Sequence, residues 1–110
     1  MKTIVELVEL WYAEHRDDFA MNCDRLLIRS YESHDAGRGK VGISIETHRL
    51  LADITFWNRG QMAVLAVDKV LRPDHTLADR DLAPGEDVAS LLSRYVRQIV
   101  EQGKGTSDET

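Results

Sequence analysis

Residues 41–68, VGISIETHRLLADITFWNRGQMAVLAVD, decide how this chain folds. Val41, Ile43 and Ile45 alternate with Gly42, Ser44 and Glu46, the period of two that puts one set of side chains on each face of a sheet. Beyond His48-Arg49 the alternation resumes, with Ala52, Ile54 and Phe56 set against Asp53, Thr55 and Trp57. Asn58-Arg59-Gly60 is a turn signal, and the run from Gln61 to Val67 follows it. Three consecutive antiparallel strands account for the whole stretch. It holds no phosphate cradle, metal spacing or catalytic set, so the residues by themselves define a small α+β domain and no chemistry.

The turn sets the register. A two-residue loop would place Phe56 opposite Ala63 and Ile54 opposite Leu65. A three-residue loop, a type I turn closed by a left-handed glycine, places Phe56 opposite Met62 and Ile54 opposite Val64. Asn58 with glycine two positions later favours the second. Ala52, Ile54, Phe56, Met62, Val64 and Ala66 then share one face, and Leu51, Thr55, Trp57, Ala63, Leu65 and Val67 share the other.

Working outward toward the N-terminus, residues 25–32 read as a first strand with apolar residues on both sides, Leu27 and Tyr31 alternating with Leu26 and Ile28. Residues 33–39 form a loop into the next strand. Before them the spacing predicts a helix over residues 3–19. Thr3 and Glu6 fit a capping box, and Ile4, Leu7, Val8 and Trp11 form its apolar stripe, widened by Val5, Tyr12 and Phe19. Toward the C-terminus, Arg72-Pro73-Asp74-His75 is a turn, and residues 76–82 are either a short fifth strand or irregular cover. Pro84-Gly85-Glu86-Asp87 opens a last helix, its acids complementing the helix dipole. Val88, Leu91, Leu92, Tyr95, Val96, Ile99 and Val100 form its stripe, and Gly103 ends it.

The expected architecture is α+β: helix, a four- or five-stranded antiparallel meander, helix, with both helices on one sheet face. Residues 1–103 form one domain, and residues 104–110 are a polar tail. A two-helix domain of this length covers one side of such a sheet and leaves the other open. That second side carries Trp57, Leu65 and Val67 beside Asp53 and Thr55. Either Trp57 lies over a neighbouring arginine or under the segment after residue 70, or the face is a recognition surface, for another protein or for a second copy.

Composition bounds the function. The chain has 110 residues, 43% of them apolar and 30% charged, and a net charge of −5. Residues 1–20 carry five acids against two bases, residues 86–110 five against three, and residues 21–85 balance at nine each. No lysine or arginine stripe exists to neutralise phosphates, which disfavours nucleic acid. Glu6 and Glu9 interrupt the N-terminal apolar run before a signal core or membrane span can form, so the expected location is the cytoplasm. The single cysteine, Cys23, makes no internal disulfide. As a nucleophile it lacks a histidine fixed beside it by sequence, and His15, His34, His48 and His75 sit on separate elements. Gly37-Arg38-Gly39 precedes a strand rather than a helix, so it is no anion cradle. His15 with Asp17 and Asp18 reads as a solvated helix end. Asp74, His75, Asp79 and Asp81 lack the glycine and closing glutamate of a calcium loop. No enzyme activity, cofactor or metal is expected.

The hairpin Ile54-Thr55-Phe56-Trp57-Asn58-Arg59-Gly60, followed by Val64-Leu65-Ala66-Val67-Asp68, resembles the TriTu family of bacterial immunity proteins, whose members carry a similar I-T-x-W-x-x-G hairpin leading to an apolar strand that ends in aspartate. The resemblance covers residues 25–100 in outline and specific residues only over 41–68. It implies an antidote that binds and occludes a cognate toxin, with contacts expected at Trp57 as anchor and at Asp53, Thr55, Arg59 and Leu65 around it. The rival reading is a small acidic secretion chaperone, or a homodimeric module that binds an effector protein.

Overall fold

The alternation of residues 41–68 builds the centre of the molecule as its period requires. In the computed structural model, which describes residues 3–21, 23–31, 39–69 and 74–102, β2 (Lys40–Glu46), β3 (Leu50–Trp57) and β4 (Gln61–Asp68) pair antiparallel in sequence order. Phe56 stands opposite Met62 and Ile54 opposite Val64, the register of the three-residue loop. Gly60 closes that loop at φ 100°, and its N–H donates to the Trp57 carbonyl at 2.9 Å. Replacing Gly60 by alanine puts a Cβ in the left-handed region and is expected to cost about 1–2 kcal/mol. A urea titration reads this; an unmoved midpoint would show that the turn relaxes without cost.

β1 (Arg25–Tyr31) and β5 (Asp74–Asp81) complete a five-stranded sheet of order β1-β2-β3-β4-β5. Of residues 76–82 all but Leu82 are thus strand rather than irregular cover, and the strand begins two residues earlier, at Asp74. Its pairing with β4 slips between Val64, opposite Ala78, and Leu65, opposite Thr76, which leaves Leu77 as the extra residue of a bulge. Residues 32–38 and 70–73, and the chain from Gly103 onward, lie outside the described residues.

α1 (Ile4–Ala20) and α2 (Val88–Gln102) both pack on one sheet face. α1 starts at the capping box: Glu6 donates its N–H to the Thr3 hydroxyl at 3.1 Å, and Thr3 returns its own N–H to the Glu6 carboxylate at 2.9 Å. Asn58 ties this start to the hairpin, its side-chain carbonyl accepting the Val5 N–H at 2.9 Å. The buried stripe of α1 is Val5, Val8 and Trp11, with Ile4, Tyr12 and Phe19 at its edges. Leu7, expected in that stripe, is instead exposed. At 100° per residue it lies a full step round the helix from Val8, away from the sheet. All seven stripe residues of α2 are buried. They meet Val41, Ile43, Ile45, Ala52, Ile54, Phe56, Met62, Val64 and Ala66 in a single core.

The acids expected to open α2 precede its first turn. Asp87 accepts from the Ala89 N–H at 3.3 Å and the Ser90 hydroxyl at 2.7 Å, while Glu86 turns back to the sheet. There it takes both guanidinium nitrogens of Arg80 at 2.6 and 2.8 Å and the Ala83 N–H at 2.6 Å. Arg80 stands opposite Met62, on the helix-covered side, and this pairing gives its charge a partner there. The guanidinium first, and the Ala83 amide second, hold the Glu86 carboxyl down to about 2. A carboxylate depressed in the folded state stabilises above its ordinary value, and that contribution disappears as pH falls from about 4.5 to about 2. Carboxyl NMR titration of Glu86 should show the low midpoint, and Glu86→Gln should flatten the stability profile in that window. A midpoint near 4.5 would contradict the pairing.

Candidate functional site

Because a strand sends successive side chains to opposite faces, the covered residues dictate what stands on the other side. The register arranges the open face in four rows across the sheet. Arg25, Glu46, Leu51 and Val67 form the first; Leu27, Ser44, Asp53, Leu65 and Thr76 form the second. Arg29, Gly42, Thr55, Ala63 and Asp79 form the third, and Lys40, Trp57, Gln61 and Asp81 the fourth.

No described element covers this face. Leu27, Leu51 and Leu65 are 41%, 48% and 47% exposed, though each sits in a regular strand. Leu51, Leu65 and the half-buried Val67 adjoin one another across β3 and β4. Leu27 stands apart, across a groove of about 250 Å³ whose lining includes Leu51, Ser44, Asp53, Arg25 and Arg29. Beside it lies a polar depression of about 220 Å³ formed around Gly42, between Arg29, Lys40, Ser44, Asp53 and Thr55. A Cβ at Gly42 would meet nothing nearer than the Thr55 hydroxyl at 3.7 Å. The absent side chain therefore serves the hollow and not the backbone.

The residues expected at the site separate into three groups. Asp53, Thr55 and Leu65 share the middle of the face, where Asp53 accepts the Ser44 hydroxyl at 2.6 Å. Trp57 is on the same face but in its last row, half-buried between Lys40 and Gln61. It flanks the apolar patch and is not its centre; Leu51 and Leu65 are. Arg59 projects from the turn and lines a separate shallow dip with Gly60, Gln61, Asp81 and Leu82. Leu27, Arg29, Lys40, Gly42 and Ser44 were not anticipated as members of the site. The alternation of β2 already put Lys40, Gly42 and Ser44 on this side, and a register for β1 would have added Leu27 and Arg29.

The charges of the face are sorted by strand. Glu46 is taken up by Lys69 at 2.7 Å, whose ammonium, ahead of the weaker effect of Arg25, lowers its carboxyl. What remains is basic on β1, at Arg25 and Arg29, and acidic at Asp53 on β3 and at Asp79 and Asp81 on β5. Arg29, Asp79 and Asp81 make no ion pair among the described residues.

The nucleophile and metal candidates stand elsewhere. Cys23 donates its thiol to the Phe19 carbonyl at 3.3 Å, and burial pushes its titration upward, away from thiolate. His15 lies 3.7 Å from Asp18 at an exposed helix end. His48 is exposed in the β2–β3 turn, while His34 and the side chain of His75 are outside the described residues. Among the described residues no three His, Cys, Asp or Glu side chains gather as a metal site, and no helix is long and apolar enough to cross a membrane. Comparison with protein-family models, curated proteins and solved structures finds no match for this chain.

Proposed function

We propose that this protein is an immunity protein, a stoichiometric antidote that docks its open sheet face against a cognate bacterial toxin in the cytoplasm and blocks it. The observation that carries the reading is the leucine patch of that face, Leu51 and Leu65 with Leu27 beyond the groove, each more than 40% exposed. A monomer gains nothing from leaving such residues in water, whereas a protein partner recovers their burial. Trp57, Asp53 and Thr55 give the patch an aromatic flank and polar neighbours, the composition of an interface core and rim. The hairpin resemblance over residues 54–68 supplies the partner class. The acid excess of residues 1–20 and 86–110 would speed association with a basic toxin.

The chaperone reading has one observation in its favour. β1 ends the sheet and pairs with β2 through all seven residues without a bulge, so its outer edge suits an extended effector segment added as a further strand. Co-expression with the toxin encoded beside this gene separates the two. The antidote reading expects a one-to-one complex with the folded toxin domain and loss of its activity. A complex only with an unfolded segment, or none, would reject it.

A further inference from the structure

We propose that in the absence of its toxin this protein is a homodimer, two copies stacked open face to open face about a two-fold axis that runs along β3. The inference rests on the same open face as the antidote reading, but not on the identity of the toxin.

Symmetry and charge together favour this arrangement. A two-fold axis lying in the sheet interface and parallel to the strands carries β1 of one copy over β5 of the other, and β2 over β4, while keeping each row over itself. Arg29 and Asp79 occupy the same row at opposite edges of the sheet, so the operation places Arg29 over the partner's Asp79, and does so twice. Lys40 and Asp81 likewise share a row; Lys40 comes to lie over the partner's Gln61, one strand from its Asp81. The alternative axis, perpendicular to the strands, would stack β1 on β1 and set arginines against arginines. Only the first sets the basic edge of each copy over the acidic edge of the other, as an isologous contact between these faces requires.

Geometry permits the contact. Stacked sheets lie about 10 Å apart with their strands rotated by about 30°. At the outer strands, roughly 10 Å from the axis, that rotation displaces the rows by about 5 Å, within reach of an arginine side chain. Five strands of seven or eight residues present on the order of 600 Å² in projection, and side-chain relief raises this toward the ~800 Å² per partner of a standard interface. On the axis Leu51 meets its counterpart and Asp53 meets its own, each Asp53 carboxylate held by its own Ser44 hydroxyl at 2.6 Å, while Leu65 is covered by the partner's Ser44; the opposite charges pair at the margin. Toxin docking and self-association then exclude each other, and the dimer keeps the leucines covered until the toxin arrives.

Sedimentation equilibrium of the full chain tests this. Wild type is expected to dimerise. Arg29→Asp and Asp79→Arg are each expected to weaken self-association by ~100-fold or more, since each sets like charges together twice. An equimolar mixture of the two variants is expected to recover association to within ~10-fold of wild type. In that heterodimer the aspartate introduced at position 29 faces the arginine introduced at position 79, and the native Asp79 of one chain faces the native Arg29 of the other. Should either variant fail to fold, Thr55→Cys in a Cys23→Ser background decides. β3 lies on the axis, so the introduced thiol should cross-link to its own counterpart through a short bis-maleimide. A monomeric wild type, single reversals without effect, a mixture that stays monomeric, or no cross-link would each overturn the dimer. None of these results bears on toxin capture, so the antidote reading stands or falls separately.

Discussion

Replacing Trp11 by alanine is expected to lower the free energy of unfolding by about 3–5 kcal/mol, the largest loss from any single change in the helix layer. Trp11 is 1% exposed and lies where α1 meets α2. Its ring stacks on Phe19 at 5.6 Å and tilts against His15 at 5.3 Å. Its indole N–H donates to the Ser93 hydroxyl at 2.9 Å, a bond from one helix to the other. Truncation removes the apolar filling of that seam and leaves Ser93 without its partner. A domain of this size has a total stability of about 5–15 kcal/mol, so the loss is a large fraction of the whole. Ser93→Ala removes only the hydrogen bond and should cost about 1 kcal/mol. Urea denaturation followed by circular dichroism compares them, and a Trp11→Ala loss below about 1 kcal/mol would mean that the helices do not depend on this contact.

The second large effect concerns binding. Leu51→Lys with Leu65→Lys is expected to weaken the proposed toxin complex by roughly 1,000-fold, about 2 kcal/mol from each leucine of the patch. Stability should change little, because both side chains are nearly half exposed and the new ammonium groups stand across from acids, Glu46 beside position 51 and Asp53 beside position 65. Opposite charges on paired strands are tolerated or mildly favourable. Trp57→Ala, in the last row of the face, is expected to cost less than the leucine pair. A larger cost at Trp57 would move the centre of the interface to the hairpin end.

Much of this fold was legible because its faces differ. The strict alternation of residues 41–57 and the Asn58-x-Gly60 turn led to the register of β3 and β4, and the α2 stripe from Val88 to Val100 has the period of a helix. β5 was not legible, for a physical reason. Its bulge at Leu77 reverses the phase of the alternation, so Thr76 and Asp79 share one face and Ala78 and Arg80 the other. Arg80 also stands on the helix side with its partner Glu86 six residues away, beyond a proline. The same limit applied to the site. That Thr55, Trp57 and Leu65 share an uncovered face followed from period and turn alone. That Arg29 and Asp79 occupy one row needs the order and register of all five strands, which local pattern does not contain. The prominence given to Trp57 came from its residue type, whereas its place at the end of a strand puts it beside the patch.

The proposed function requires that the uncovered side of the sheet be the surface that meets the toxin. Isothermal titration of the product of the adjacent gene, as the proposed toxin, into wild type and into the Leu51→Lys/Leu65→Lys variant, tests that most directly. The account predicts a saturating one-to-one complex with wild type and its loss in the folded variant. Equal affinity for both proteins, or heat from neither, would contradict it.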